Sequence, residues 1–330
     1  MTQRILRIGT RDSELAVWQA TLVQNLLKEA GAASELVYIK SEGDVDTVTP
    51  LYALGVQGVF TRALDAALLN NRIDIAVHSM KDVPTQLAQG IQQTAVLKRA
   101  SYKDILVYKD PADLAALGYV NGEWLIVNSE PILTTHHSPF TIATGSVRRI
   151  AQWLHRYPNH HIENLRGNVN TRLRKLKESD WNGAIFAAAG LERINLRPQN
   201  SIELDWMLPA PAQGAIMIVC RNQDEQAFDA CHILNDAGTE LCTRIERDFL
   251  QTLMGGCSTP ISALAEMQYA QIVFKGNICS TDGSEKIAVE KVVNISDAND
   301  LGIIAANEII NKGGAAIVAN IRQKGLTING

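Results

Sequence analysis

Strand-like and helix-like patterns alternate along the first part of the chain. Apolar runs at Ile5–Thr10, Glu35–Lys40 and Ile73–Val77 are typical of strands, whereas Leu15–Ala30 and Phe60–Asn70 carry apolar residues at helical spacing. Strands that alternate with helices of this length are typical of parallel sheets with helices on their faces. The pattern therefore predicts an α/β fold.

The same alternation returns in the middle of the chain. Short apolar strands are predicted at Phe140–Thr144, His161–Leu165 and Ala184–Ala189, with helical spacing between them. Near Leu208 the chain passes through a segment rich in proline and glycine into a further apolar strand, Ala215–Cys220. This part of the chain predicts a second α/β unit.

The pattern changes after about Asp224. A helix is predicted from Glu240 to Leu253, and a final helix begins near Asp297. Between them, short polar turns join three predicted antiparallel strands, which are Ser262–Met267, Gln271–Cys279 and Lys286–Val293. The last third of the chain is therefore expected to form a separate α+β unit.

The composition is that of an ordinary globular protein. Of the 330 residues, 46% are hydrophobic and 20% are charged, which excludes a disordered or fibrous chain. The N-terminal residues lack the apolar run of a signal peptide, and no apolar run approaches the ~20 residues that cross a bilayer. We therefore expect a cytoplasmic protein.

The cysteines indicate free thiols rather than a metal site or a disulfide framework. Five occur, all in the last third of the chain and none in a Cys-x-x-Cys pair: Cys220, Cys231, Cys242, Cys257 and Cys279. We expect most of them to be buried. Cys257 differs because it follows two glycines in a turn after a helix, so its thiol is expected to be accessible. The histidine spacings give no support for a metal site either.

Charge is distributed unevenly along the chain. The whole chain carries a formal net charge of −4, which does not suggest a general nucleic-acid binder. The segment Val147–Lys177, however, contains eight basic residues and one acidic residue, a net +7 against −11 for the remainder. This local excess predicts an anionic ligand.

Arginine and hydroxyl side chains follow three predicted strands where each gives way to a helix. The three loops are Thr10-Arg11-Asp12-Ser13, Ser146-Val147-Arg148-Arg149 and Arg166-Gly167-Asn168. Helix capping would explain one loop of this kind. Three loops with arginine, at the edge of a sheet where helix N-termini bind anions, favour a site for carboxylates or phosphates.

Lys81 and Asp82 follow the strand Ile73–Val77 almost directly, at the same predicted edge. Strand ends in α/β folds are enriched in active groups, which favours a functional pair. An acid beside a lysine is also common as a solvated surface pair. The residues alone leave both interpretations open.

Several longer segments match one family in order along the chain. They are Arg7-Ile8-Gly9-Thr10-Arg11, Leu15-Ala16-Val17-Trp18-Gln19-Ala20, Asp74-Ile75-Ala76-Val77-His78-Ser79-Met80-Lys81-Asp82-Val83-Pro84, Leu165-Arg166-Gly167-Asn168-Val169, Thr171-Arg172-Leu173, Ala188-Ala189-Gly190-Leu191, Gln213-Gly214-Ala215 and Gly255-Gly256-Cys257. Through them the chain resembles the porphobilinogen deaminase (hydroxymethylbilane synthase) family over most of its length. The string from His78 to Pro84 and the Gly-Gly-Cys turn are the most specific.

The resemblance implies a reaction and a cofactor. The family is a transferase of tetrapyrrole (haem) biosynthesis that joins four porphobilinogen molecules head to tail, loses ammonia each time and releases hydroxymethylbilane. Its primer is a dipyrromethane cofactor, held by a thioether to a cysteine that matches Cys257. Its catalytic aspartate matches Asp82, which would assist the loss of ammonia and stabilise cationic intermediates.

The family's ligand-binding residues also map onto this sequence. Each pyrrole ring carries an acetate and a propionate, so the growing chain is polyanionic. The resemblance implies that the cofactor is bound by Lys81, Ser146, Arg148, Arg149 and Arg172. It implies that the substrate is bound by Arg11, Ser13 and Arg166. These residues lie on the loops that the strand pattern had already marked.

Four departures from the family are visible. Gln57 stands where a lysine usually precedes a Gly-Leu-Phe, and Lys103 stands near a usual arginine, which keeps the charge but loses the bidentate fork. The segment Ala143–Ser146 reads Ala-Thr-Gly-Ser instead of the more frequent Gly-Thr-Ser-Ser, and Gly118–Pro139 is longer than usual. None of them alters Asp82 or Cys257, so we expect effects on rate and loop behaviour.

The resemblance also implies an architecture. We expect an α/β protein with two doubly wound domains that resemble periplasmic binding proteins, a cleft between them, and a smaller C-terminal α+β domain carrying Cys257. The predicted domains are 1–104 with 206–222, 105–205 and 223–330. The expected partner is the small molecule porphobilinogen, with no nucleic acid, no membrane and no metal, and the expected state is a monomer.

Two alternatives come from other functional classes. A non-catalytic binding protein with two lobes would account for the arginine loops but leaves the Gly-Gly-Cys turn unexplained. A nucleic-acid binder would use Val147–Lys177 and bind unrelated sequences with a steep salt dependence. That second alternative leaves Asp82 and Cys257 without a role.

Overall fold

Three main sheets organise the residues that the computed structural model describes, which are 4–40, 61–124, 140–253 and 259–327. Up to residue 124 the elements are β1 (Leu6–Thr10), α1 (Glu14–Glu29), β2 (Ser34–Tyr38), α2 (Arg62–Leu69), β3 (Ile75–Ser79), β4 (Ile91–Val96), β5 (Asp104–Tyr108), α3 (Ala112–Ala116), β6 (Tyr119–Val120) and β7 (Glu123–Trp124). From residue 140 they are β8 (Thr141–Ala143), α4 (Val147–Arg156), β9 (His161–Glu163), α5 (Val169–Glu178), β10 (Gly183–Ala187), α6 (Ala188–Glu192), β11 (Ser201–Glu203), β12 (Ile216–Arg221) and α7 (Glu225–His232). The last third contains α8 (Ala237–Thr252), β13 (Ile261–Gln268), β14 (Gln271–Cys279), β15 (Lys286–Asn294), α9 (Leu301–Ile309) and α10 (Ala315–Thr327).

The first sheet has helices on both faces. Its strand order is β2-β1-β3-β12-β4. Successive residues of β3 alternate between the two faces, so Ile75 packs with α1 and α7 whereas Ala76 packs with α2. The expected doubly wound α/β arrangement is therefore confirmed in this sheet.

The second sheet repeats the arrangement with the strand order β11-β5-β10-β8-β9. Ile142 and Ile185 pack with Trp153 of α4 on one face, and Ala184 and Phe186 face α5 and α6 on the other. Its apolar strand β10 covers most of the predicted run Ala184–Ala189.

Both sheets are mixed, whereas the sequence pattern by itself is typical of parallel sheets. β12 runs antiparallel to β3 and β4, and β5 runs antiparallel to β10 and β11. Both strands are entered from the two segments that connect the sheets, residues 97–103 and 204–215, which we call the hinge. Because the hinge lies at the carboxyl edge of the parallel strands, a strand that starts there must run in the opposite direction. The domain boundaries stay a prediction.

The two hinge segments cross in close contact at Gly214. Its φ is +89°, and its carbonyl accepts a hydrogen bond of 3.1 Å from the N–H of Ala100. A Cβ at this position would lie 2.7 Å from the carbonyl oxygen of Ala100 and 2.8 Å from that of Ser101. Only glycine permits this conformation and this approach without strain.

The C-terminal part is the α+β unit that the sequence predicts. β13, β14 and β15 form an antiparallel sheet, and Phe249 of α8 packs edge-to-face with Phe274 of β14 in its core. α8 begins three residues before the predicted start because the Asp236 carboxylate caps it, accepting from the N–H of Thr239 at 2.7 Å.

The C-terminal helices form one long apolar stretch. Leu301–Ile321 is long and apolar enough to cross a membrane by length and composition alone, which the sequence expectation did not anticipate. Leu301 and Ile309 of this stretch are nevertheless buried in the core of the C-terminal unit. Gly313, with φ +103°, interrupts the helical backbone between α9 and α10.

Candidate active site

The carboxyl edge of the first sheet carries the first predicted loop. β1 ends at Thr10, and α1 begins at Glu14 with Ser13 as its N-cap residue. Within the described structure the Ser13 hydroxyl makes no capping hydrogen bond, so capping does not account for this serine. Arg11 lies near buried His78 of β3, whose pKa is lowered to about 4 by burial and then by the charge of Arg11. Arg11 and Ser13 thus lie beside the end of β3.

Asp82 lies in a single turn of 3-10 helix directly after β3. This turn, Met80–Asp82, is called the Asp82 turn below. The N–H of Met80 donates to the carbonyl of Ala215 at 3.0 Å, which ties the turn to the entry of β12. The Asp82 side chain is partly exposed at the carboxyl edge of the sheet. The turn therefore places its carboxylate where the sequence predicts a site.

Lys81 points into a charged environment beside the hinge. Its ammonium donates to Oε1 of Gln213 at 3.2 Å. Burial lowers the pKa of Lys81 to about 8; the Asp82 carboxylate acts in the opposite direction, and the charge of Arg149 adds to the lowering. We call the first sheet with its helices the first lobe and the second sheet with its helices the second lobe. Arg149 lies on α4 of the second lobe, so Lys81 is within electrostatic reach of both lobes.

Asp104 connects the charged groups of both lobes. Its Oδ1 accepts from Nε and Nη2 of Arg149 at 3.1 and 2.8 Å and from Nε2 of Gln213 at 2.9 Å, and its Oδ2 lies 2.7 Å from Nη2 of Arg148. Burial alone raises the pKa of Asp104, but the two arginines and Gln213 outweigh it and bring the pKa to about 2. Asp104 is therefore a buried carboxylate that holds two predicted ligand-binding arginines.

Arg148 and Arg149 lie in the first turn of α4 and are both buried. Each of the three guanidinium nitrogens of Arg149 donates within the protein, because its Nη1 also donates to the carbonyl of Ile185 at 3.0 Å. Arg148 donates from Nη1 to the carbonyl of Leu208 at 2.7 Å, and its buried Nε has no hydrogen-bond partner among the described residues. Arg148 thus retains a donor for a ligand, whereas Arg149 mainly fixes Asp104.

Arg172 brings the second lobe to Asp82. It lies on α5, and its Nε donates to the carbonyl of Gly167 at 2.7 Å. Burial lowers the pKa of Arg172 to about 10; the charges of Arg149 and Arg166 add to this, and the Asp82 carboxylate opposes it. Arg166 is itself buried in the loop before α5. The predicted residues of the second lobe therefore gather around the Asp82 turn.

The two loops of the second lobe use their polar caps differently. Asn168 caps α5, because its Oδ1 accepts from the N–H of Thr171 at 2.9 Å. The hydroxyl of Ser146, the N-cap residue of α4, makes no such bond in the described structure. A Cβ at Gly145 would lie 2.7 Å from the carbonyl oxygen of Leu165, so the departure Ala-Thr-Gly-Ser allows the two loops to touch.

Two important residues were not predicted as site residues. Asp104 is the first residue of β5, a strand that the sequence pattern did not predict, and Gln213 lay in a matched segment without a role. Asp104 directly follows Lys103, one of the four departures from the family. Lys103 donates to the Asp205 carboxylate at 2.5 Å, so its charge is paired across the hinge.

Several predictions fall outside the described residues. They concern the attachment of the cofactor to Cys257, the departure at Gln57 and most of the long stretch Gly118–Pro139. The described beginning of that stretch forms the β6–β7 ribbon, whose Trp124 donates to the carbonyl of Glu203 at 2.6 Å.

The other four cysteines are buried free thiols, as expected: Cys220, Cys231, Cys242 and Cys279. Within residues 4–40, 61–124, 140–253 and 259–327, no three His, Cys, Asp or Glu side chains form a group that could hold a metal ion.

Positive charges outnumber negative charges among the site residues at the cleft between the two lobes. We call these residues the cleft cluster; its cations are Arg11, Lys81, Arg148, Arg149, Arg166 and Arg172, and its carboxylates are Asp82 and Asp104. The cleft cluster thus contains six cations and two carboxylates, and one carboxylate, Asp104, is already bound by two arginines. Such a site fits a ligand that carries several carboxylates or phosphates.

Family models match both parts of the chain. The model described as "Porphobilinogen deaminase, dipyromethane cofactor binding domain" matches residues 6–229. The model described as "Porphobilinogen deaminase, C-terminal domain" matches residues 240–311. The first match spans the two α/β lobes and all residues of the cleft cluster.

Curated relatives carry the same name. The chain is 37% identical over 322 residues to the porphobilinogen deaminase of Acidithiobacillus ferrooxidans, which covers 96% of this chain and 98% of that protein. It is 40% identical over 289 residues to the chloroplastic porphobilinogen deaminase of Oryza sativa subsp. japonica, covering 85% of this chain and 75% of that one. Among solved structures, an ancestral cationic amino acid solute binding protein is similar over 70% of this chain and 87% of that chain. The TM-score is 0.42 and the identity is 14%, so this similarity carries no argument about function.

Proposed function

The chain belongs to the porphobilinogen deaminase family, and we propose that it performs the family's reaction with Asp82 as the catalytic carboxylate and Cys257 as the point of cofactor attachment. The enzyme is a transferase of tetrapyrrole biosynthesis. It condenses four porphobilinogen molecules head to tail, releases ammonia at each step and forms hydroxymethylbilane from a dipyrromethane primer. The observation that carries the assignment of residues is the excess of cations gathered around Asp82.

The residues of the cleft cluster fit dipyrromethane. The two rings of the cofactor carry an acetate and a propionate each, and the cleft cluster contains six cations against two protein carboxylates. The buried Nε of Arg148 has no hydrogen-bond partner among the described residues, so a carboxylate oxygen of a ligand would satisfy it. When bound, the cofactor supplies the terminal pyrrole carbon to which the first substrate is joined.

The residues proposed to hold the cofactor are Lys81, Ser146, Arg148, Arg149 and Arg172. Those proposed to hold the substrate are Arg11, Ser13 and Arg166. Ser13 and Ser146 fit this role because, in the described structure, neither hydroxyl caps its helix. Arg149 acts mainly through Asp104, which keeps the first turn of α4 at the cleft. Together these side chains would orient the carboxylates of the rings, and Asp82 would be available to a pyrrole nitrogen.

Asp82 then acts where positive charge develops. As ammonia leaves the substrate, charge builds on the pyrrole nitrogen, and a fixed carboxylate at that point stabilises it. The same carboxylate can hold and return a proton. The anchoring of the Asp82 turn to Ala215 fixes the carboxylate before the substrate arrives, so little reorganisation is required.

A nucleic-acid partner is not part of the proposal. Three arginines of the basic segment, Arg148, Arg149 and Arg166, are 3–5% exposed and cannot reach a phosphate backbone. A monomeric state and a cytoplasmic location belong to the proposal. Light scattering on the purified protein tests the first, and cell fractionation tests the second.

The variant Asp82→Asn tests the catalytic assignment. We expect it to bind porphobilinogen but to lose turnover by about 100-fold or more, because removal of one preorganised stabilising group costs about that much. Steady-state formation of hydroxymethylbilane and binding of substrate to the variant provide the two measurements. Asp12→Asn, an exposed aspartate of the first loop, is the control. Near-normal product formation by Asp82→Asn would refute the assigned role.

A further inference from the structure

Arg247 reaches from the C-terminal unit onto the Asp82 turn. It lies on α8, and its Nη1 donates to the carbonyl of Val83 at 2.9 Å while its Nη2 donates to the carbonyl of Pro84 at 2.6 Å. These are the two carbonyls that follow Asp82 directly. The planar guanidinium fork is suited to holding two such acceptors at once.

The Asp82 turn is therefore held at both ends by different parts of the molecule. At its start, the N–H of Met80 donates to the carbonyl of Ala215, the hinge residue directly before β12, at 3.0 Å. At its end, the anchor is the side chain of Arg247. The position of the Asp82 carboxylate depends on both anchors, because it lies between them.

The helix that carries Arg247 is itself fixed at the neighbouring residue. Glu246 is fully buried, and its carboxylate accepts from Arg99 at 2.6 and 3.1 Å, from the N–H of Ala212 at 2.6 Å and from the N–H of Ala265 at 2.8 Å. Four hydrogen bonds thus tie α8 to the hinge and to β13. α8 ends at Thr252, five residues before Cys257 in the chain.

We propose that Arg247 is a positioning residue. It fixes the position of the Asp82 turn relative to α8, the helix that precedes the cofactor cysteine in the chain. The inference rests on the proposed function, since it takes Asp82 as the catalytic group and Cys257 as the attachment point. Without the fork, the turn keeps its anchor at Met80 but loses the one that relates it to α8. A displacement of about 1 Å of a reacting group can cost about 100-fold in rate.

The test compares Arg247→Leu and Arg247→Lys with the wild type, and Arg244→Leu is the matched control because Arg244 is exposed on the same helix. Intact mass first establishes the covalent cofactor in each protein, and kcat, KM for porphobilinogen and the thermal midpoint follow. We expect Arg247→Leu to carry the cofactor and to lose about 10- to 100-fold in kcat with KM within about two-fold. Arg247→Lys should recover part of the loss, since an ammonium can donate without the fork's geometry. Arg244→Leu should match the wild type.

Several outcomes would overturn the inference. A normal kcat in Arg247→Leu would do so, with or without a lower thermal midpoint, and so would a rise in KM at unchanged kcat. Loss of the covalent mass in this variant would instead place Arg247 in cofactor assembly. If the leucine variant does not fold, a wild-type kcat in Arg247→Lys that carries the cofactor overturns the inference. A wild-type protein that lacks both covalent mass and product would refute the proposed function itself, whatever the variants do.

Discussion

Two charged clusters lie at opposite edges of the first sheet, and they differ in how their charges are paired. The cleft cluster contains six cations and two carboxylates at the carboxyl edge. At the other edge, three arginines surround two aspartates; we call Arg4, Arg7, Arg221, Asp74 and Asp224 the opposite-edge cluster. Both clusters are rich in arginine, so residue type alone does not separate them.

In the opposite-edge cluster each arginine is paired with at least one aspartate. Arg7 pairs with Asp74 at 2.9 Å, Arg221 pairs with Asp224 at 2.5 Å, and Arg4 contacts both aspartates. Burial raises the pKa of Asp74, but hydrogen bonds from Arg7, Arg4 and Arg221 outweigh it and leave the pKa well below its ordinary value. Such a cluster stabilises the fold, whereas the cleft cluster retains charge for a ligand. The number of carboxylates that lie close to each group of arginines therefore distinguishes a structural cluster from a ligand-binding one.

The largest expected effect is on the stability of the folded protein, and it comes from a change in the opposite-edge cluster. Asp74→Asn leaves three arginines around one aspartate, and we expect a loss of about 2–4 kcal/mol in the free energy of unfolding, since the arginines are partly exposed. Chemical denaturation measures it, with exposed Asp229→Asn as control. Because the pKa of Asp74 is depressed in the folded state, its contribution is present above about pH 4 and is lost as the pH falls. Unchanged stability, or a lower kcat in the folded variant, would break the comparison.

A smaller effect is expected from an arginine in the cleft cluster. Arg172→Leu removes one charge that faces Asp82, and we expect KM for porphobilinogen to rise or cofactor retention to fall by about 10- to 100-fold, the value of one charge-assisted hydrogen bond. The free energy of unfolding should change little or increase, because the side chain is a partly buried charge beside other cations. Arg174→Leu, exposed on the same helix, is the matched control. Equal kinetic effects in both variants would contradict a ligand role for Arg172.

The smallest effect is a pH dependence carried by Lys81. Its pKa is about 8, so its charge is present at pH 7 and is lost as the pH rises through 8. Since Lys81 is proposed to hold the anionic cofactor, we expect kcat/KM for porphobilinogen to fall several-fold over that range, and the fall should be absent in Lys81→Gln. Exposed Lys98→Gln serves as the control. A pH profile identical in wild type and Lys81→Gln would remove Lys81 from the binding of the ligand.

The sequence predicted the elements that carry a strong local pattern. The loops at Ser13, Ser146 and Asn168 lie between strands and helices as expected, and β14 has its predicted limits. In these places periodicity and turn residues determine the local structure. The resemblance added the family, which composition and spacing could not have supplied.

The hinge could not be predicted in the same way. β5 begins at Asp104, directly after the hinge, and its direction depends on where the chain re-enters the second sheet. Asp104 meets Gln213 and Arg149 only because segments more than forty residues apart in the chain converge, the nearest separation being 45 residues. A single aspartate at a strand start carries no periodic signal, so its role becomes visible only in three dimensions.

Intact mass spectrometry tests the central claim that the cleft cluster holds a covalently attached polycarboxylate. The protein is produced with porphobilinogen available and compared with Cys257→Ser, with Cys279→Ser as a control for loss of another thiol. We predict a mass excess equal to two linked pyrrole units in the wild type and in Cys279→Ser, and none in Cys257→Ser. A wild-type mass equal to that of the bare chain, or an excess that persists in Cys257→Ser, would contradict the account.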